Sequence, residues 1–203
     1  MTSDFNPLFQ KIISLFDLSD GEKELLMAEA TLSAVPNEAF LIKENTPVTG
    51  LYFLQKGMVR SFYTKDHREI NTEFFFENNF FTALAGFLTG EKTRLNFQCL
   101  EDCEVVTIPK TAIDRLLNRD NKWYRLTHKI LEEEFIKKCR RESSFLLHNA
   151  AERYFYFLSR FPKAETRIPL FHIASYLGLS PETLSRIRTK RIGQIDIGQV
   201  DKI

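Results

Sequence analysis

Between residues 35 and 109 the chain is cut into short β-rich runs: AFLIKEN, GLYFLQKG, MVRSFYTKDH, NTEFFFENNFF and RLNFQCLEDCEVVTIP. Turn formers stand between them, at Gly50, Gly57, Asn78, Asn79 and Gly90. Strands at this spacing build a sandwich or a barrel. Residues 82–88, TALAGFL, predict a short helix inside the β region. On either side the apolar period lengthens to that of a helix. Residues 6–34 carry Leu8, Ile12, Leu15 and Phe16, then Leu25, Leu26 and Ala30 after a break at 19–21. Ser19 followed by Glu22 fits a capping box at the start of the second helix. From Pro109 onward the pattern is helical again, so the fold class is α+β.

Residues 111–117 predict one short helix and residues 121–145 a long one. In the long helix, Trp123, Leu126, Ile130, Leu131 and Phe135 form a stripe at helical spacing. Glu133 with Lys137, and Glu134 with Lys138, are pairs in the favourable orientation on a solvated face. A helix this long must bury its stripe, in its own domain's core or against a two-fold partner. Residues 149–161, NAAERYFYFLSRF, predict a further helix, and KAETR at 163–167 a polar link.

The segment HIASYLGLSPETLSRIR, residues 172–188, is the most informative stretch. Ile173, Ala174 and Leu177 share one face of a first helix. Gly178 can take the left-handed conformation that ends it. Ser180 is a good N-cap and Pro181 suits a first helical position. Leu184 and Ile187 then face inward, while Glu182, Ser185, Arg186 and Thr189 share an outward face. That is the layout of a helix-turn-helix, whose second helix enters the DNA major groove. Arg186 has the donors for guanine O6 and N7, and Glu182 can accept from cytosine N4. Ser180 and Thr183 can meet a phosphate at the positive end of the helix. Arg188, Lys190 and Arg191 add charge for the DNA backbone. The charge distribution agrees. The net charge is +1, but residues 146–203 carry nine Lys and Arg against five Asp and Glu, and residues 1–145 carry 19 against 22.

Together these segments resemble the Crp/Fnr family of bacterial transcription regulators over nearly the whole chain. GLYFLQKGMVRSFY (50–63), NAAERYFYFLSRFP (149–162) and IASYLGLSPETLSRIR (173–188) carry the likeness. The resemblance implies a jelly-roll-like β-roll, a double-stranded β-helix with flanking helices, as sensor domain over residues 1–118. It implies a dimerisation helix over 119–146 and a helix-turn-helix domain over 147–203. In the family the E-x-x-S-R pattern reads half-sites of the TTGA type. That implies base contacts for Glu182, Ser185 and Arg186, phosphate contacts for Ser180 and Thr183, and supporting roles for Arg188, Thr189 and Lys190. Pro181 stands where some members have a basic residue. The expected partners are duplex DNA with a palindromic site, a second copy of the chain and RNA polymerase. Members also carry a hairpin wing after the recognition helix; only IGQIDIGQVDKI follows here, so a reduced wing is expected.

Members that bind cyclic AMP open the short β-roll helix with Gly-Glu and place an Arg after it, to hold the ribose and the cyclic phosphate. Matching backwards from Cys103-Glu104-Val105, these positions fall on Thr82, Ala83 and Thr93. Arg94 lies one residue away, on the opposite face of a strand unless a bulge intervenes. A pocket of Phe81, Thr82, Ala83, Leu84, Thr93 and Arg94 is therefore not expected to hold cyclic AMP in the usual way. An uncharged or apolar effector, or none, is expected instead. The plainer reading is that Phe80, Phe81, Leu84, Phe87 and Leu88 fill a core.

No metal or cofactor is expected. Cys99, Cys103 and Cys139 do not form an iron–sulfur set, and the four His are scattered. Neither G-x-S-x-G, H-E-x-x-H nor a P-loop occurs, so an enzyme is not expected. No run of about 18 apolar residues suggests a membrane span. The start MTSDFNPLFQ does not read as a signal peptide, which makes the cytoplasm the expected location. The rival functional reading is a ligand- or partner-sensing module whose C-terminal domain no longer binds DNA.

Overall fold

A computed structural model describes the backbone of residues 4–191 and the side chains of residues 4–189. The chain divides into two compact units. The first comprises residues 1–64 and 72–133, the second residues 65–71 and 134–203.

The first unit opens with helices α1 (Asn6–Ile13) and α2 (Asp20–Glu29). The expected capping box is present: the Ser19 N–H donates to Glu22 Oε2 at 2.9 Å. Eight strands follow: β1 (Thr31–Val35), β2 (Phe40–Ile42), β3 (Gly50–Lys56), β4 (Val59–Lys65), β5 (Arg68–Phe75), β6 (Asn79–Phe81), β7 (Asn96–Cys99) and β8 (Cys103–Pro109). Helix α3 (Leu84–Thr89) interrupts them where TALAGFL predicts it. Strand β1 corrects the sequence reading, which carried the helical region to residue 34. Its pairing with β8, from Thr31 opposite Thr107 to Val35 opposite Cys103, lies far along the chain and leaves no local period.

The strands form two four-stranded sheets, β1-β8-β3-β6 and β2-β7-β4-β5. Of the two architectures the spacing allows, the sandwich is the one adopted. The inner faces meet on aromatic rings. Phe81 of the first sheet lies 5.2 Å from Phe75 and 5.8 Å from Phe97 of the second, with Tyr52 at 5.4 Å on its other side. Burying each ring contributes about 1.5–3 kcal/mol. Ring pairs at these distances add about 0.5–1.5 kcal/mol. Helix α4 (Lys110–Arg119) covers one end of this core through Ala112, Ile113 and Leu116.

Helix α5 (Trp123–Leu147) is one continuous helix whose residues divide between the two units at Glu133. The sequence reading set 119–146 apart as a segment of its own. In the second unit, α6 (Ala150–Arg160) starts at Asn149, whose side chain accepts from the Ala151 and Glu152 amides. The KAETR link is not wholly irregular: Ala164–Arg167 makes a single helical turn, α7. Helices α8 (Leu170–Leu177) and α9 (Pro181–Arg191) complete the unit. Tyr154, Phe157, Ile173, Ala174, Leu177 and Leu184 are among its buried apolar residues. Residues 65–71, the turn joining β4 to β5, also belong here. Asp66 and His67 both have positive φ, at 50° and 58°, as a tight two-residue hairpin requires. The Asn71 amide donates to Ser175 Oγ at 3.0 Å, and that hydroxyl donates to the Glu69 carbonyl.

Candidate nucleic-acid interface

Helix α8 stops because Gly178 turns left-handed, with φ at +66°. Its N–H reaches the Ser175 carbonyl, and the Leu179 N–H reaches that of Ala174. This crossed pair satisfies carbonyls that the helix end would leave bare. The same glycine is constrained from outside. A Cβ at Gly178 would sit 2.9 Å from the Phe145 ring. Two residues later Ser180 caps α9, its Oγ accepting the Thr183 N–H at 3.2 Å. Pro181 follows at the first helical position, where a missing N–H costs nothing. Leu184 is buried to 1% exposure and locks α9 onto α8.

With Leu184 inward, the opposite face is fixed by helical spacing. Glu182, Ser185, Arg186 and Thr189 are all exposed. Arg186 Nη2 donates to Thr183 Oγ1 at 3.3 Å, and no carboxylate among the described residues forms an ion pair with it. The Glu182 carboxyl is held below the usual carboxylate range by hydrogen bonds from its own amide and from the Ser180 hydroxyl, with the Arg186 charge beside it. One short helix thus offers water an anionic acceptor, two hydroxyls and a guanidinium side by side. The Thr189 hydroxyl donates back to the Ser185 carbonyl.

Arg188 is placed differently. It is half-buried, and its Nε donates to Glu165 Oε1 at 2.7 Å; the Tyr154 hydroxyl donates to the same oxygen. Burial, then the Glu165 contact, push the Tyr154 phenol up to about 12. Arg188 therefore ties α9 to the α6–α7 segment, a pairing that the sequence reading did not include. Sequence reasoning missed Glu165, Tyr154 and Asn149. The Asn149-x-x-Glu152 box was visible as a helix start; the pairing of Glu165 with Arg188 leaves no local signal. Lys190's side chain and the expected wing at 192–203 lie outside the described residues.

In the sandwich, the residues read as a ligand grip serve the fold. Phe81 is at the centre of the ring stack, and Ala83 is buried. Thr82 donates its hydroxyl to the Gly50 carbonyl at 2.9 Å. Thr93 is buried, and its hydroxyl accepts the Leu95 N–H. Leu84 is half-buried, and Arg94 is exposed. The bulge that would have turned Arg94 inward is not what the structure adopts. These positions therefore bring no carboxylate and no guanidinium into the interior.

Residues 32–120 match the cyclic nucleotide-binding domain family. Solved structures are similar over nearly the full length. A Eubacterium rectale protein assigned to the crp/fnr family of transcriptional regulators shares 18% identity with a TM-score of 0.71, over 90% of this chain and 89% of that one. FixK2 of Bradyrhizobium japonicum shares 22% with a TM-score of 0.68, over 79% and 83%. The c-di-GMP responsive global regulator CLP of Xanthomonas campestris shares 19% with a TM-score of 0.69, over 86% and 92%. The chain has the Crp/Fnr fold. No curated protein matches it in sequence.

Within the Crp/Fnr fold the long helix is the remaining site residue set. Its stripe divides. Trp123, Leu126 and Ile130 are buried in the first unit's own core, with Phe16 packed edge-on against Trp123 at 5.2 Å. For these three, read with the dimer helix, the domain core is the covering present, one of the two that the spacing allows. Leu131 and Phe135 stay exposed, Phe135 at 69%, and Tyr124 joins them. Tyr124, Leu131 and Phe135 follow the seven-then-four spacing of a coiled-coil seam. Among the described residues, no helix is long and apolar enough to cross a membrane.

Proposed function

We propose that the protein is a sequence-specific DNA-binding transcription regulator of the Crp/Fnr type that grips a palindromic site as a homodimer. The observation that carries this reading is the outward face of α9. Glu182, Ser185 and Arg186 are exposed, adjacent and held on a helix whose start is capped and whose back is buried. In a major groove Arg186 would span guanine O6 and N7, and Glu182 would accept from cytosine N4. Ser180 and Thr183, at the positive end of α9, would meet a phosphate. Two copies paired along Tyr124, Leu131 and Phe135 would present the recognition helices about one DNA turn, ~34–36 Å, apart.

The sandwich supports a second part of the proposal. At the positions where cyclic-AMP-binding members carry their grip it has Thr82, Ala83 and Thr93, with Arg94 exposed, so cyclic AMP is not held there in the family's usual way. The sandwich takes an uncharged or apolar effector, or none.

Gel-shift titration of a TTGA-type palindrome at two salt concentrations tests the proposal. Affinity should fall steeply with salt, by ~0.9 in log–log slope for each phosphate neutralised. Binding that ignores salt, or that fails for duplexes of every sequence, would refute it. Calorimetric titration with cyclic AMP should show no heat of binding; saturation at micromolar concentration would reverse the second part.

A further inference from the structure

A cleft in the second unit is lined by Arg141, Arg153 and Arg160, with Phe145, Tyr156 and Tyr176 among its aromatic walls. It encloses about 20 Å³, room for one or two water-sized groups or a single small head group. No Asp or Glu lines it. The three guanidiniums also form no ion pair with any carboxylate among the described residues. Arg153 donates to the Leu177 and His148 carbonyls, and Arg160 lies over the Phe161 ring. Arg141 donates through Nη2 to the Asn71 carbonyl. Its Nη1 is shielded from solvent and has no hydrogen-bond partner.

The cleft thus gathers three positive charges that no acidic residue in its lining offsets. A shielded charged donor with no acceptor costs about 1–3 kcal/mol or more. Arg141 and Arg153 also share one ring, lying 4.8 Å and 5.0 Å from the Phe145 centroid. Two cations on one ring repel each other unless an anion comes between them. Arginine is also the side chain best shaped for a planar or tetrahedral oxyanion.

We propose that this cleft is a binding site for a small oxyanion, the carboxylate or phosphate group of a free solute. The guanidiniums of Arg141, Arg153 and Arg160 surround it, and the aromatic side chains form the rest of the wall. Its walls come from α5, α6 and α8, so the anion staples the end of the long helix to the helix that carries the Gly178 turn. Charge sensing then belongs to the DNA-reading unit.

The test uses the full-length protein without DNA, so its outcome is independent of the proposed function. Inorganic phosphate and sodium benzoate are titrated by calorimetry and by thermal unfolding, at ionic strength held constant with sodium chloride. Saturable binding of at least one is expected at about millimolar concentration or tighter. The two arms show whether phosphate or carboxylate is the preferred head group. Arg160→Gln, which removes a partly exposed side chain lying over the Phe161 ring, should weaken binding at least ~tenfold while leaving the unliganded unfolding temperature unchanged. Arg141→Gln should do the same to binding. Lys163→Gln, on the exposed α6–α7 connection, should bind as the parent does. Failure of both anions to saturate below about 50 mM, or equal binding by Arg160→Gln and the parent, would overturn the proposal.

Discussion

The sandwich and the helix-turn-helix use their polar residues in opposite ways. In the sandwich, Thr82 and Thr93 are buried and their hydroxyls bond to nearby backbone. In the helix-turn-helix, Glu182, Ser185 and Arg186 stand in solvent above a buried Leu184. A polar group satisfied within the fold stabilises it and has little left for a ligand. A polar group held rigid and left in water contributes little to stability and much to recognition. The two regions therefore predict opposite responses to mutation.

The largest effect belongs to the ring stack. Phe81→Ala should lower unfolding stability by ~3–5 kcal/mol in urea denaturation. A loss below about 1 kcal/mol would mean the interior is open enough to take a ligand. Next comes the Ser19 to Glu22 cap. Burial alone would raise the Glu22 carboxyl, but hydrogen bonds from Lys122 and from the Ser19 hydroxyl and amide outweigh it and hold it at about 2. The ionised form stabilises the fold fully above about pH 4.5, its ordinary value, and that contribution is lost as pH falls toward 2. Glu22→Gln should cost ~1–3 kcal/mol at pH 7, and little at pH 2, in paired thermal melts.

The reading face should behave in reverse. Arg186→Ala should weaken DNA binding by ~1–3 kcal/mol and relax preference at one base position, with the unfolding free energy changed by less than ~0.5 kcal/mol. A large loss of stability would make Arg186 a structural residue. Smallest is the cap of the reading helix: Ser180→Ala should cost ~1 kcal/mol of stability and weaken binding with it.

What could be read in advance follows the same division. The helix-turn-helix is written in short-range chemistry: a left-handed glycine, a cap, a proline and one helical period, all within residues 173–189. The double cap of α2 was legible for that reason too. Strand β1 was not, because only its distant partner β8 makes it a strand. The stripe of α5 was visible as apolar, yet spacing cannot say what covers it; Trp123, Leu126 and Ile130 turned out to be covered by their own unit. The pairing of Arg188 with Glu165 was not visible, because Glu165 becomes its neighbour only after folding. For Arg94 the sequence allowed either face, and the exposed one is occupied.

Gly178 is exposed, and yet its left-handed backbone angle strains any other side chain, and an added methyl group would displace the edge of the Phe145 ring. A saturation screen scored for gene regulation should find this surface position less tolerant than its exposed neighbours. An accessibility map alone would mark it as freely replaceable.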